Sequence, residues 1–133
     1  MTANKKTYSI AVLAGASLLL AGSAFAASLS AEIANARTHA NNAANAGAID
    51  AVHMHMHHAL NCLVGPKGQG FDASQMNPCA NAGDGAIPDE TDAAKKAKLE
   101  SAKTSLMKGL TETDLKAAQD AAKSAVADIS AAA

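Results

Sequence analysis

Four of the chain's five histidines and two of its five methionines fall between His53 and His58, in the run VHMHMHHALNC over residues 52–62. Imidazole binds Cu(II), Zn(II) and Ni(II), and thioether sulfur selects soft Cu(I) or Ag(I). A mixed cluster of this kind therefore points first to copper, with zinc, silver and nickel as alternatives. The competing reading is a helix surface that happens to carry histidine.

Helical spacing sorts the cluster. Positions three and four apart are neighbours on a helix, so His53, Met54, His55, Met56, His57 and His58 each have a partner. Taking Ile49, Val52, Met56, Leu60 and Leu63 as the apolar stripe, Met56 lies mid-stripe, a packing residue first and a ligand second. His53 and His57 share one shoulder at the spacing of a bidentate clamp. His55 lies on the other shoulder near Cys62, and Met54 and His58 are expected to face solvent.

The fifth histidine, His39, lies eight residues before Gly47, and His55 lies eight after it. In an antiparallel hairpin turning at Gly47 the two are level. The expected site is His39 with His53 and His57 across two helices, although the pattern does not say which shoulder faces His39. Histidines near their intrinsic pKa of about 6.5 would release metal in acid, because protons compete for the same nitrogens.

The elements that must hold such a site are helical. Alanine makes up about a quarter of the chain and aromatic residues 2%, which favours helix over strand. Helix 1 is expected from a cap at Ser28 or Ser30 to about Ala46, with Leu29, Ile33, Ala36, Ala40 and Ala43 inward. A left-handed Gly47 would stop it. Helix 2 should run from about Ile49 to Leu63, helix 3 from Asp89 or Thr91 to Gly109, and helix 4 from a Thr111 cap with Asp114 in the capping-box position. The fold class is all-α, a four-helix bundle of two helical hairpins joined by a long loop over 64–90.

That loop holds all three prolines and five of the nine glycines, and an unstructured connection of its length is unusual in a compact domain. A Cys62–Cys79 disulfide would staple it, contributing about 3 kcal/mol in the chain-entropy model. The alternative is Cys62 as a metal thiolate one turn after His58. Asp72, Asp84 and Asp89 do not match the helix-loop-helix calcium pattern and read as a solvated turn.

Residues 1–26 have the pattern of a secretory signal, with Lys5 and Lys6, the apolar run Ile10 to Ala21, and Ala24-Phe25-Ala26 as a cleavage site. Residues 27–133 would then form one helical domain, periplasmic or secreted, with no membrane segment in the mature form. Removing the segment takes the basic residues from 11 to 9 against 12 acidic ones, a net charge near -3. Nucleic acid is not an expected partner. The thin core leaves homodimerisation open.

The spacing His39-x3-Ala43-x3-Gly47-x5-His53-x3-His57 resembles the histidine-repeat helices of small periplasmic metal-binding proteins that buffer copper and other divalent ions. The His53/Met56 and Met54/His57 steps are similar to motifs of periplasmic silver- and copper-binding proteins of the silver-resistance type. Both resemblances imply an exported protein that buffers or sequesters metal. No Ser-His-Asp, Cys-His or paired-carboxylate motif suggests an enzyme. The alternatives are a metal-free helical envelope stress or interaction module and a b-type haem bundle.

Overall fold

The computed structural model describes the backbone of residues 21–133 and the side chains of residues 28–133. Positions 1–20 of the expected signal segment lie outside the described residues. Five helices occur among the described residues, and no strand: α1 (Ala21–Asn45), α2 (Ile49–Val64), α3 (Ala86–Asp89), α4 (Ala93–Gly109) and α5 (Leu115–Ala132). The all-α expectation holds.

α1 begins upstream of both serines proposed to cap it. The sequence there, A-G-S-A-F-A-A-S, is dominated by alanine, the strongest helix former, and neither Ser28 nor Ser30 interrupts it. α1 ends at Asn45 as expected, but Gly47 does not take a left-handed conformation. The glycines that do include Gly65, at the C-terminus of α2, and Gly85. Gly65 has φ 64°, and a Cβ on it would stand 1.7 Å from the carbonyl oxygen of Asp84. The α1–α2 turn is held from outside instead: Gln119 of α5 donates to the carbonyl of Ala46 at 2.9 Å.

Each of the two C-terminal helices is capped by an aspartate, whose carboxylate satisfies otherwise orphaned N–H groups of the first turn. Asp92 accepts from Ala94 and Lys95, and Asp114 accepts from Ala117. Thr111, expected as a cap, turns back to the carbonyl of Lys108 at 2.7 Å. The separate turn α3 displaces the expected start at Asp89 or Thr91 to Ala93.

α1 packs on α2 and α5, α4 on α5, and α2 on α4. Of the expected inward positions, Ile33, Ala36, Ala40 and Ala43 of α1 and Val52, Met56, Leu60 and Leu63 of α2 are buried, while Leu29 and Ile49 are only partly so; Leu99, Ala102 and Leu106 of α4 and Ala118, Ala122 and Ile129 of α5 complete the core. Full burial of each large side chain contributes about 1.5–3 kcal/mol. The many alanines contribute less and let the helices approach closely.

The loop between α2 and α3 is covalently and polarly fixed. Cys62 and Cys79 form a disulfide, with Cα atoms 5.2 Å apart. Asn61, fully buried, donates to the carbonyls of Asp72 and Met76 and accepts the N–H of Asp72. Gly70 lies against Leu60. Every residue from His58 to Val64 is buried, so the C-terminal half of α2 is enclosed on all sides.

Candidate metal centre

α1 contributes His39, and α2 contributes His55 and His58 at an i, i+3 step. One ring nitrogen from each lies within 4.8 Å of the other two. The Nδ1 atoms of His39 and His55 are 3.3 Å apart. Ring centroids are separated by 5.5 Å for His39–His55, 5.1 Å for His39–His58 and 5.8 Å for His55–His58. The hairpin thus puts His39 beside His55, the level that their equal offsets from Gly47 give.

The expected clamp is not assembled, because His53 and His57 point elsewhere. His53 donates from Nε2 to the carbonyl of Glu112 in the α4–α5 turn at 3.1 Å. The Nδ1 of His57 is 3.6 Å from Asp72 Oδ2, whose carboxyl is held below the usual carboxylate range first by the Ser74 hydroxyl and then by the Ser74 N–H and His57. Asp72 is therefore a loop-ordering residue rather than part of a freely solvated turn.

Met56 is fully buried and closely apposed to Gly109, where a Cβ would stand 2.4 Å from Met56 Cε. It is a core residue and not a ligand of this cluster. Met54 is 40% exposed. Both sulfurs of Cys62 and Cys79 are spent in the disulfide, which removes the thiolate alternative. His58, expected to face solvent, is only 4% exposed.

Burial disfavours protonation of two of the three rings, His39 and His58. Burial pushes the His39 imidazole below its ordinary 6.5, with the neighbouring His58 and His55 adding to the effect. Burial does the same for His58, followed by His55 and His57. A neutral imidazole is the metal-binding form.

The His58 Nδ1 is buried and has no hydrogen-bond partner. A buried unpaired nitrogen costs about 1–3 kcal/mol, which a bound ion would offset. Tetrahedral coordination at 2.0–2.1 Å separates adjacent nitrogen ligands by roughly 3.3–3.4 Å. The His39–His55 pair already stands at that separation. With a ring nitrogen of His58 within 4.8 Å, the trio is a group that could hold a d-block cation.

No protein-family model, curated protein or solved structure matches the chain.

Sequence reasoning missed two buried polar groups, Asn61 near the end of α2 and Glu32 on α1. Asn61 offered a signal, a polar residue directly before a cysteine at the end of an apolar helix. Glu32 sits one residue before the core position Ile33, and nothing local marks it.

Proposed function

We propose that the protein is an exported helical bundle that buffers or sequesters copper, or a similar d-block ion, through His39, His55 and His58. The observation that carries this reading is the 3.3 Å separation of the His39 and His55 Nδ1 atoms, contributed by two different helices, with a ring nitrogen of His58 within 4.8 Å of a ring nitrogen of each. Two residues on one helix and one on its neighbour make the site depend on the folded hairpin, so affinity and folding are coupled.

The donor set is three neutral imidazoles, without thiolate or thioether. That set suits Cu(II), Zn(II) and Ni(II), among which the intrinsic affinity order places Cu(II) highest. Silver, which favours sulfur, loses the support that Met54 and Met56 would have lent it. The disulfide accords with an oxidising compartment such as the periplasm. The test is calorimetric titration of the full chain with Cu(II), Zn(II), Ni(II) and Ag(I), alongside Cu(I) under reducing conditions that spare the disulfide. Stoichiometric binding of one ion that broadens or shifts the ring signals of His39, His55 and His58 is the expected result. Silence with all five ions would leave a metal-free envelope module.

A further inference from the structure

α1 buries a second ionisable group, seven residues before His39. Glu32 is fully buried, an uncommon position for a carboxylate without a cation. Its Oε1 accepts the N–H of Gly85 at 2.9 Å, and its Oε2 has no donor. Asp89, 9% exposed, accepts the N–H of Asp84 through Oδ2 at 3.1 Å. Gly83 lies so close to both groups that a Cβ on it would stand 2.2 Å from Asp89 Oδ2 and 2.8 Å from Glu32 Oε1. Among the described residues no lysine or arginine pairs with either carboxyl.

Two carboxyl groups side by side without a counter-cation cannot both ionise cheaply, and one shared proton relieves the repulsion. It would also provide a partner for the orphaned Oε2. We propose that Glu32 and Asp89 share a single proton, and that this proton latches the loop segment 83–89 onto α1, releasing it when the proton is lost. The latch is independent of the metal reading, since it uses none of the histidines.

The surroundings act in the same direction. The Glu32 carboxyl is pushed up to about 7, by burial first and with Asp89 and Asp84 adding to it, against the Gly85 N–H, which lowers it. Asp84 is itself paired with Lys67 at 3.6 Å. Glu90, at the end of α3, is engaged by the N–H of Asp92 at 2.8 Å. From α2, the disulfide of Cys62 brings the Sγ of Cys79 to 3.9 Å from the Glu32 carbonyl, and it carries no charge. α5, which also packs on α1, places no charge that acts on Glu32.

A carboxyl whose folded pKa is raised is favoured in its protonated form by folding. The latch contribution is therefore complete below the ordinary 4.5 and is lost as pH rises through about 7. The disulfide at Cys79 would keep the first part of the loop in place while residues 80–89 move.

The test is a titration of the metal-free full chain, following side-chain carboxyl carbon shifts and amide hydrogen exchange. The expected midpoint for the Glu32 carboxyl is about 7. Protection at Asp84 and Gly85, corrected for intrinsic exchange, should fall about tenfold per pH unit between the ordinary 4.5 and about 7 and level off above, as release of one proton on opening requires. Glu32→Gln, with its neutral amide, should hold that protection flat across the same interval, from about pH 5 to about pH 7. Asp89→Asn serves the same purpose if the first variant does not fold. A carboxyl midpoint near 4.5 for Glu32, or the same fall in protection in the folded variant, overturns the proposal. Recovery of protection at alkaline pH on adding calcium or magnesium also overturns it, since the pair would then bridge a cation.

Discussion

Replacing His39 by alanine removes the one ligand that α1 contributes to the trio and leaves α2 unaltered in its spacing. His55 and His58 alone form a two-point contact on a single helix. Even loss of an outer-shell partner costs about 10–100-fold in metal affinity, so loss of a direct ligand should cost at least that much. His53→Ala and His57→Ala remove rings engaged by Glu112 and Asp72. Their effect on affinity should stay within the roughly 0.5 kcal/mol of a substitution away from the site, about a factor of two.

Competition titration against a chelator of known affinity reads this contrast directly, and thermal unfolding reads it independently. An ion present at 100 times its Kd stabilises the folded chain by about 2.7 kcal/mol, equivalent to about 10–20 °C in Tm for a domain of this size. His39→Ala should lose most of that shift, and His53→Ala should retain it. If His53→Ala and His57→Ala weaken binding as much as His39→Ala, or if His39→Ala binds like the unaltered chain, the trio is not the site.

Further outcomes follow from the packing and the titrating groups. Removing the disulfide by Cys62→Ala with Cys79→Ala should lower stability by about 3 kcal/mol, read by denaturant unfolding. Asn61→Ala deprives the Asp72 N–H and the Asp72 and Met76 carbonyls of their partner and should cost about 1–3 kcal/mol for the stranded groups. In Gly109→Ala the new Cβ meets Met56, itself fully buried, and overpacking of about 1–3 kcal/mol should exceed the gain of up to about 1 kcal/mol in helix propensity. The titrating groups of the metal-free chain act in opposite directions. Below the ordinary 6.5 the unfolded chain takes up protons that His39 and His58, with lowered pKa values, resist, so their contribution falls as pH falls. Glu32, raised from 4.5 to about 7, contributes fully below 4.5 and loses that contribution as pH rises to about 7. Glu32→Gln should therefore make Tm rise more steeply with pH between pH 5 and pH 7 than in the unaltered chain, and an unchanged profile in that variant would contradict this.

The fold was legible where one face of a helix meets one neighbour. The stripes Ile33–Ala36–Ala40–Ala43 and Leu99–Ala102–Leu106 are buried as their spacing requires, because a regular helix repeats its contacts every three or four residues. The ends were less legible. Thr111 and Asp114 both had capping chemistry, and the carboxylate took the role at the α5 terminus while the threonine closed the preceding turn. Gly47 carried a stop signal that the turn did not use, since the Ala46 carbonyl was secured from α5 by a residue more than seventy positions away. No local pattern contains that contact.

The candidate site was legible in its membership and not in its orientation, for one physical reason. Helical rotation assumes that the face opposite the apolar stripe is wet, and on that assumption His58 and Asn61 belong in solvent. The stapled loop defeats it: Asn61 holds Asp72 and Met76, Gly70 packs on Leu60, and Cys62 is bound to Cys79, so the end of α2 is enclosed all round. With its own stripe turned toward α4 at Met56 and Gly109, α2 presents the His55 shoulder to α1. His53 is left beside the α4–α5 turn and His57 beside the loop. The equal offsets of His39 and His55 from Gly47 fix the level of contact along the hairpin, whereas the rotation that brings in His58 depends on α4 and the loop. A histidine cluster that reads symmetrically in sequence is thereby divided into a converging trio and two rings directed at neighbouring segments.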